Sequence, residues 1–112
     1  MTKKRIIDIA ENLGWSVKFG VEELVSEKGK YVEFSQYSPA GQDFSFTVWY
    51  DNLNQVADRV KDFYISYDIK EEVYTWLEAK RNGVSGVPDV ITLVHDQEDI
   101  EEMLGKLALD LK

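Results

Sequence analysis

The stretch YVEFSQYSPAGQDFSFTVWY, residues 31–50, decides the fold of this chain. Its two ends, residues 31–37 and 43–50, alternate apolar and polar side chains with a period of two, which is typical of half-buried strands. Between them, Pro39 restricts φ and Gly41 suits a positive φ, so residues 37–42 are predicted to form a turn. Such a short connection favours antiparallel pairing of the two strands.

The residues before this stretch predict another strand of the same sheet. Four apolar residues alternate with smaller or polar ones and indicate a strand that begins near residue 15: Trp15, Val17, Phe19 and Val21. Gly20 is predicted to mark a bulge, beyond which the strand bends and continues to Ser26. Residues 27–30 are predicted to form a tight turn, in which Gly29 supplies a positive φ.

Helical spacing of apolar residues appears at the start of the chain and again after Asp51. The first helix is predicted over residues 3–13 and is closed by Gly14. A second helix is predicted over residues 53–64. A third opens at Asp68, where Glu71 has capping-box spacing, and ends at residues 82–83.

The C-terminal part predicts a short helix followed by a long one. Pro88 suits the first position of a helix. The run 90–94 is rich in β-branched residues, which also suits a buried strand, but the acidic capping pattern after it favours one or two helical turns. The last helix is predicted to begin near Asp96 and to end near Leu111.

These elements predict an α+β fold in one domain, residues 1–112. The order is α-β-β-β-α-α-α, with a three-stranded antiparallel meander and helices packed on one face. Trp49 then lies on the outer face of the sheet. From the neighbouring strand, either the odd residues (Tyr31, Glu33, Ser35 and Tyr37) or the even ones (Val32, Phe34 and Gln36) share that face, so aromatic surface is expected to be open to a partner.

The composition of the chain limits the cellular compartment that we expect and the classes of function that are possible. The chain has no cysteine, which excludes disulfides and thiolate chemistry and fits a reducing cytoplasm. Acidic residues near the N-terminus interrupt any signal-peptide core, and no apolar run is long enough to span a membrane. The net charge of −8 argues against direct binding to nucleic acid. We therefore expect a soluble cytoplasmic protein.

Most of the net negative charge is concentrated in residues 82–104, which contain no lysine or arginine. That stretch carries six of the eight net charges, because the other fifteen acids face thirteen bases. The six acids are Asp89, Asp96, Glu98, Asp99, Glu101 and Glu102. A structural alternative is that Asp96, Glu98 and Asp99 cap the last helix and complement its dipole. That alternative explains Glu101 and Glu102 less well, and it explains Asp89 only if that residue serves the turn at Pro88, so a partner-binding surface stays open.

Catalysis has little support in the sequence. His95, next to Asp96, is the only histidine, and no cysteine is present to act as a nucleophile. His95 and the nearby acids lack a recognised metal-ligand spacing, and no phosphate-binding glycine loop occurs. We expect no catalytic residue, no metal and no cofactor.

Three segments taken together carry a family resemblance: IAENLG at 9–14, YSPAGQDFSF at 37–46 and EAKRNGVSGVPDV at 78–90. The chain resembles small uncharacterised proteins encoded by phages and mobile elements of Gram-positive and gut bacteria. The resemblance implies the cytoplasm of a bacterial host cell. By analogy, it also suggests an inhibitor of host defence nucleases.

The function that we predict is protein binding without catalysis. The partner has a basic surface, and the chain acts as a phage-type inhibitor of a nucleic-acid-binding host defence enzyme, in the manner of an anti-CRISPR protein or a nucleic-acid mimic. The residues predicted to bind are the six acids and three aromatic residues, Trp49, Tyr31 and Tyr37. The alternatives are a homodimeric assembly module that buries the outer sheet face and, last, a small hydrolase or metal-dependent enzyme that uses His95.

Overall fold

The computed structural model of the chain describes residues 1–23 and 28–112. Its elements are α1 (Lys3–Asn12), β1 (Ser16–Glu23), β2 (Lys28–Tyr37), β3 (Asp43–Tyr50), α2 (Val56–Ser66), α3 (Ile69–Arg81) and α4 (Val90–Asp110). A single 3₁₀ turn, Leu53–Gln55, precedes α2. The predicted α+β class and the order α-β-β-β-α-α-α are confirmed.

The three strands form an antiparallel sheet in the order β1-β2-β3. Val32 pairs with Val48 and Phe34 with Phe46, and all four side chains are buried on the inner face. The outer face carries Tyr31 opposite Trp49. Of the two alternatives for that face, the odd set is therefore correct: Tyr31, Glu33, Ser35 and Tyr37.

The helices cover only the inner face of the sheet. α1 packs on β1 and α2 packs on β3, while α4 contacts the other three helices. The ring of Phe46 lies between Phe34, 5.2 Å away centroid to centroid, and Phe63 of α2, at 4.5 Å. Stacked rings at these separations join the sheet to the helical layer in one core.

Two glycines in the strands do not serve the purposes predicted for them. The pairing of β1 with β2 is regular through Gly20, so the predicted bulge is wrong. Gly29 lies within β2 and lacks the positive φ predicted for a turn. A Cβ atom at Gly20 would meet the ring of Tyr31 at 2.3 Å, and one at Gly29 would meet the ring of Trp49 at 2.6 Å. Both glycines leave room for an aromatic ring from the neighbouring strand to lie over them.

Of the two predicted turns, only the one at residues 37–42 lies wholly within the described residues. The continuation of the first strand to Ser26 and the start of the turn at Glu27 lie outside the described residues. At the β2–β3 turn, Gly41 has a φ of +87°, as predicted, and its N–H donates to the carbonyl of Ser38.

The C-terminal segment is one long helix instead of a short helix and a long one. The prediction of helix for residues 90–94 is confirmed, but the predicted start of the last helix near Asp96 is wrong. Asp89 caps α4, and its carboxylate accepts the N–H of Thr92 at 2.9 Å. The helix continues because its buried side chains repeat at spacings of three and four without a break: Leu93, Gln97, Ile100, Leu104, Leu107 and Leu111.

Candidate partner-binding surface

Asp89 and Asp96 have structural contacts and lie in different environments. Asp89 is exposed, and its pKa is lowered because the N–H and the hydroxyl of Thr92 stabilise the carboxylate. Asp96 is 2% exposed and lies in the middle of α4, so it does not cap the helix. Its two oxygens accept hydrogen bonds from the hydroxyl of Ser38, at 2.7 Å, and the N–H of Ala40, at 3.0 Å. Asp96 thus ties α4 to the β2–β3 turn and is withdrawn from solvent.

The remaining four acids of the stretch lie on the outer half of α4. We call them the α4 acids: Glu98, Asp99, Glu101 and Glu102. Glu98 and Glu102 are exposed and stand one turn apart, about 6 Å along the axis. Asp99 and Glu101 are partly buried on opposite flanks, about 160° apart around the axis. The four carboxylates therefore cover a broad band of the helix, and not a narrow stripe.

Most of the negative charge in this band has no ion-pair partner among the described residues. Glu102 contacts the ammonium group of Lys106 at 3.4 Å, and both side chains are largely exposed. Within the described residues, Glu98, Asp99 and Glu101 have no salt bridge. The buried positions of α4 fix the helix against the core, so these carboxylates are held on a rigid support.

The three predicted aromatic residues lie on the outer face of the sheet but do not form one cluster. Tyr31 and Trp49 are in contact, with ring centroids 5.3 Å apart, and Trp49 is 45% exposed. Tyr37, which is 72% exposed, lies six residues further along β2, about 20 Å from Tyr31. Because the α4 acids are on the helical side of the sheet, the structure does not bring the aromatic residues and the acids into one surface.

A second group of carboxylates, which the sequence analysis did not select, lies at the junction of α2, α3 and α4. Tyr67 follows the last residue of α2, and its hydroxyl donates to Oε1 of Gln97 on α4. Burial raises the pKa of Tyr67 well above its usual range, and the carboxylates of Glu72, Asp96 and Glu101 raise it further. Acids from α3 and α4 thus converge on this tyrosine.

Glu72 of α3 is a half-buried carboxylate at this junction. Its pKa is raised above 4.5, first by burial and then by the neighbouring charges of Glu71 and Asp68. No salt bridge to Glu72 occurs among the residues that the structure describes. Partial burial of a carboxylate without a counter-ion costs free energy, so a cation supplied from outside would be favourable here.

Glu72 lines a half-open pocket of about 280 Å³, which we call the Glu72 pocket. Its wall combines aromatic, amide and acidic side chains: Gln42, Asp43, Phe44, Ser45, Phe63, Tyr67, Glu72, Trp76, Gln97 and Ile100. Trp76 follows Glu72 by one helical turn and therefore lies on the same face of α3.

One glutamine in this wall has unused hydrogen-bonding groups. Both amide atoms of Gln42 are buried without a partner among the described residues. Gln97 is 2% exposed, and its Oε1 accepts from the hydroxyl of Tyr67. Buried polar groups are normally satisfied, so the unpaired amide of Gln42 beside a pocket indicates a place for a polar ligand or water.

The sequence contained only weak signals for this pocket. Asp68 and Glu71 were interpreted as capping residues, and the carboxylate of Asp68 does accept the N–H groups of Lys70 and Glu71. Nothing in this spacing distinguishes Glu72 from the other acids. Gln97 stands at a position of the α4 repeat where an apolar residue is expected, and this break in the pattern is the one signal that pointed here.

His95 is exposed on α4. Across residues 1–23 and 28–112, no three side chains of His, Cys, Asp or Glu converge as a set of metal ligands. In the same residues, no helix combines the length and the apolar character needed to cross a bilayer.

Comparison with known proteins finds no matching family model, no matching curated protein and no matching solved structure.

Proposed function

We propose that this chain is a non-enzymatic protein-binding domain that engages a basic surface of its partner through the α4 acids. The observation that carries the proposal is that Glu98, Asp99 and Glu101 project from a firmly packed helix with no salt bridge among the described residues. An uncompensated negative field of this kind accelerates association with cationic surfaces and selects against acidic ones.

The class of partner follows from the same charges. Lysine and arginine are concentrated where proteins hold nucleic-acid phosphates, and carboxylates compete for these groups. A nucleic-acid-binding host defence enzyme, inhibited by occupation of its basic cleft, is therefore the partner that we propose. In this proposal, the chain acts as a phage-type inhibitor and binds no nucleic acid itself.

Affinity capture with three baits tests this function. The first bait is the wild-type chain, and the second reverses the α4 acids to lysine. The third is a matched control that reverses four exposed acids elsewhere: Glu11, Asp58, Asp62 and Asp110. We expect wild type and control to retain the same basic protein at low salt, and the second bait to lose it. Equal retention by the second bait would refute the proposal, provided that circular dichroism shows all three baits to be folded.

A displacement assay then tests the class of partner. If the captured protein binds nucleic acid, wild-type chain should release a labelled oligonucleotide from it, and the variant with reversed α4 acids should not. Simultaneous binding of chain and oligonucleotide would show that the partner is not inhibited in this way.

A second candidate function rests on the outer sheet face. The Tyr31 and Trp49 rings lie over Gly20 and Gly29, are partly exposed and offer an aromatic surface to another copy of the chain. If the chain is a homodimeric assembly module, light scattering should give twice the chain mass, and Trp49→Ala should give the monomer. A monomeric wild type at high micromolar concentration would eliminate this candidate.

A further inference from the structure

We propose that the Glu72 pocket receives the side chain of an arginine from the protein partner. The inference rests on the proposed function, since it identifies the group by which a basic partner is anchored next to the α4 acids. Glu101 links the two regions, because it belongs to the α4 acids and its charge acts on Tyr67 in the pocket wall.

Charge is the first reason for a cationic occupant. Glu72 is half-buried in the wall and, within the described residues, has no salt bridge. Asp43 is part of the same wall, and Asp68 and Glu71 add negative charge beside it. A cation that enters the pocket would offset the desolvation of Glu72 and form charge-assisted hydrogen bonds with its carboxylate.

The acceptors of the wall suit a group with several donors. A guanidinium group carries five N–H donors in one plane. The two oxygens of Glu72 and the unpartnered Oε1 of Gln42 are acceptors that can share them. The unpartnered Nε2 of Gln42 is a donor for the main-chain carbonyl of the entering residue.

The aromatic walls favour arginine over lysine. Trp76 and Phe44 line the pocket, and Trp76 is next to Glu72 on α3. A planar guanidinium stacks on such rings while it donates to a carboxylate at its edge, whereas a strongly hydrated ammonium group gains less from either contact.

The size of the pocket is sufficient for a single long side chain. Its volume of about 280 Å³ is at the lower limit for pockets that enclose drug-sized ligands. The pocket is also open on one side, as it must be when the occupant remains attached to a second protein.

Titration with small probes, followed by nuclear magnetic resonance, tests the proposal without the partner. The probe is N-acetyl-arginine N-methylamide, and the readouts are the indole N–H of Trp76 and the side-chain amides of Gln42 and Gln97. The controls are the corresponding lysine and citrulline compounds, citrulline being neutral and similar in shape. We expect saturable shifts with arginine, with a Kd on the order of 1 mM, weaker binding of lysine and none of citrulline.

Matched glutamate-to-glutamine variants inside and outside the pocket locate the interaction. Glu72→Gln should weaken arginine binding about tenfold, because a charge-assisted pair is lost. Glu11→Gln, which removes an exposed charge of α1 outside the pocket wall, should change the Kd by less than about twofold. Equal binding of citrulline, or equal losses in the two variants, would overturn the proposal.

A further titration distinguishes a pocket for a protein side chain from a pocket for a free small molecule. Methylguanidinium contains the same cation without a peptide. If it binds and the acetylated arginine amide does not, the pocket takes a free guanidine compound, and the proposal of a partner side chain is wrong.

Failure of this inference differs visibly from failure of the proposed function. If arginine does not bind but capture of the partner still depends on the α4 acids, only the proposal that the Glu72 pocket receives arginine is wrong. If arginine binds through Glu72 but reversal of the α4 acids leaves capture unchanged, the proposed function falls and the pocket assignment stands.

Discussion

The role of Asp96 in the structure differs from the role that the sequence predicts for it. In the sequence, it was one of six acids and a candidate helix cap. In the fold, it is buried and holds Ser38 and Ala40, which lie 58 and 56 residues away in the chain. A local pattern cannot reveal a partner at that distance, because the β2–β3 turn reaches α4 only after the sheet and helices have packed.

Replacement of Asp96 by alanine should destabilise the fold. The change leaves the N–H of Ala40 unpaired and removes the acceptor of the Ser38 hydroxyl, at an expected cost of about 2–4 kcal/mol in the free energy of unfolding. Urea denaturation measures it. The matched control Glu98→Ala, on the exposed side of α4, should change stability by less than about 0.5 kcal/mol. A cost for Asp96→Ala below about 1 kcal/mol would contradict this assignment.

Glu72→Gln should instead stabilise the protein at neutral pH. The folded-state pKa of Glu72 lies above its ordinary value of 4.5, so the folded chain binds this proton more tightly than the unfolded chain does. Ionised Glu72 therefore costs stability above the raised pKa, and this cost disappears below 4.5. Because the side chain is only half-buried, solvent screening keeps the gain below about 1 kcal/mol.

Thermal unfolding of wild type and Glu72→Gln between pH 4 and pH 8 measures the effect. The difference in Tm should be positive at pH 8 and should close as the pH falls. Glu71→Gln provides the comparison, since its own side chain is exposed and it acts on the pocket only through Glu72. A constant difference across the range, or a loss of stability in Glu72→Gln, would show that the carboxylate is not penalised by its surroundings.

At the scale of elements, the strands were the most predictable part of the chain. The alternation in residues 43–50 fixes which side chains face the core, and β3 has the bounds that were predicted. The glycines of β1 and β2 were misinterpreted because local preference associates glycine with bulges and turns. Their role depends on Tyr31 and Trp49, which cross from neighbouring strands.

The α4 helix was divided in two because Asp96 and the acids that follow it were interpreted as the cap and first turn of a new helix. His95 is exposed, but Asp96 and Gln97 are buried, and they continue the packed face between Leu93 and Ile100. A helix boundary placed at polar residues is wrong whenever those residues are satisfied by tertiary contacts. The same two residues are the ones that join α4 to the β2–β3 turn and to Tyr67.

Removal of the Asp89 cap tests the observed start of α4. In Asp89→Ala, the amide of Thr92 loses its acceptor, so we expect faster hydrogen exchange at Thr92 and a Tm lower by a few degrees. The lowered pKa of Asp89 means that wild type loses this contribution as the pH falls through that pKa. The two Tm values should therefore converge in acid. An unchanged exchange rate at Thr92 would show that the helix does not depend on this cap.

At the scale of the whole molecule, the distribution of charge differs from a continuous stripe. Asp89 and Asp96 accept hydrogen bonds within the fold, and Glu102 is paired with Lys106. These contacts reduce the negative charge available on α4, but Glu72 and its neighbours extend the negative region from α4 to α3. The charge of the chain could be counted from the sequence, but its arrangement depends on how α3 and α4 pack.

The same packing separates the two kinds of candidate surface. The aromatic pair is on the outer face of the sheet, and the carboxylates are on the helical side. One partner surface cannot bury both without enclosing the molecule, so the acids and the aromatic pair belong to different hypotheses. Sequence patterns placed both on the surface and could not show that they face in different directions.

A map of amide chemical shifts during titration with a short arginine-rich peptide, recorded at low and high salt, tests the central claim most directly. We expect the largest changes at Glu72, Trp76 and residues 97–102, and we expect them to disappear at high salt because the contacts are charge pairs. Changes centred on Tyr31 and Trp49, or changes on α3 and α4 that persist at high salt, would contradict the claim that this negative surface binds a cationic partner.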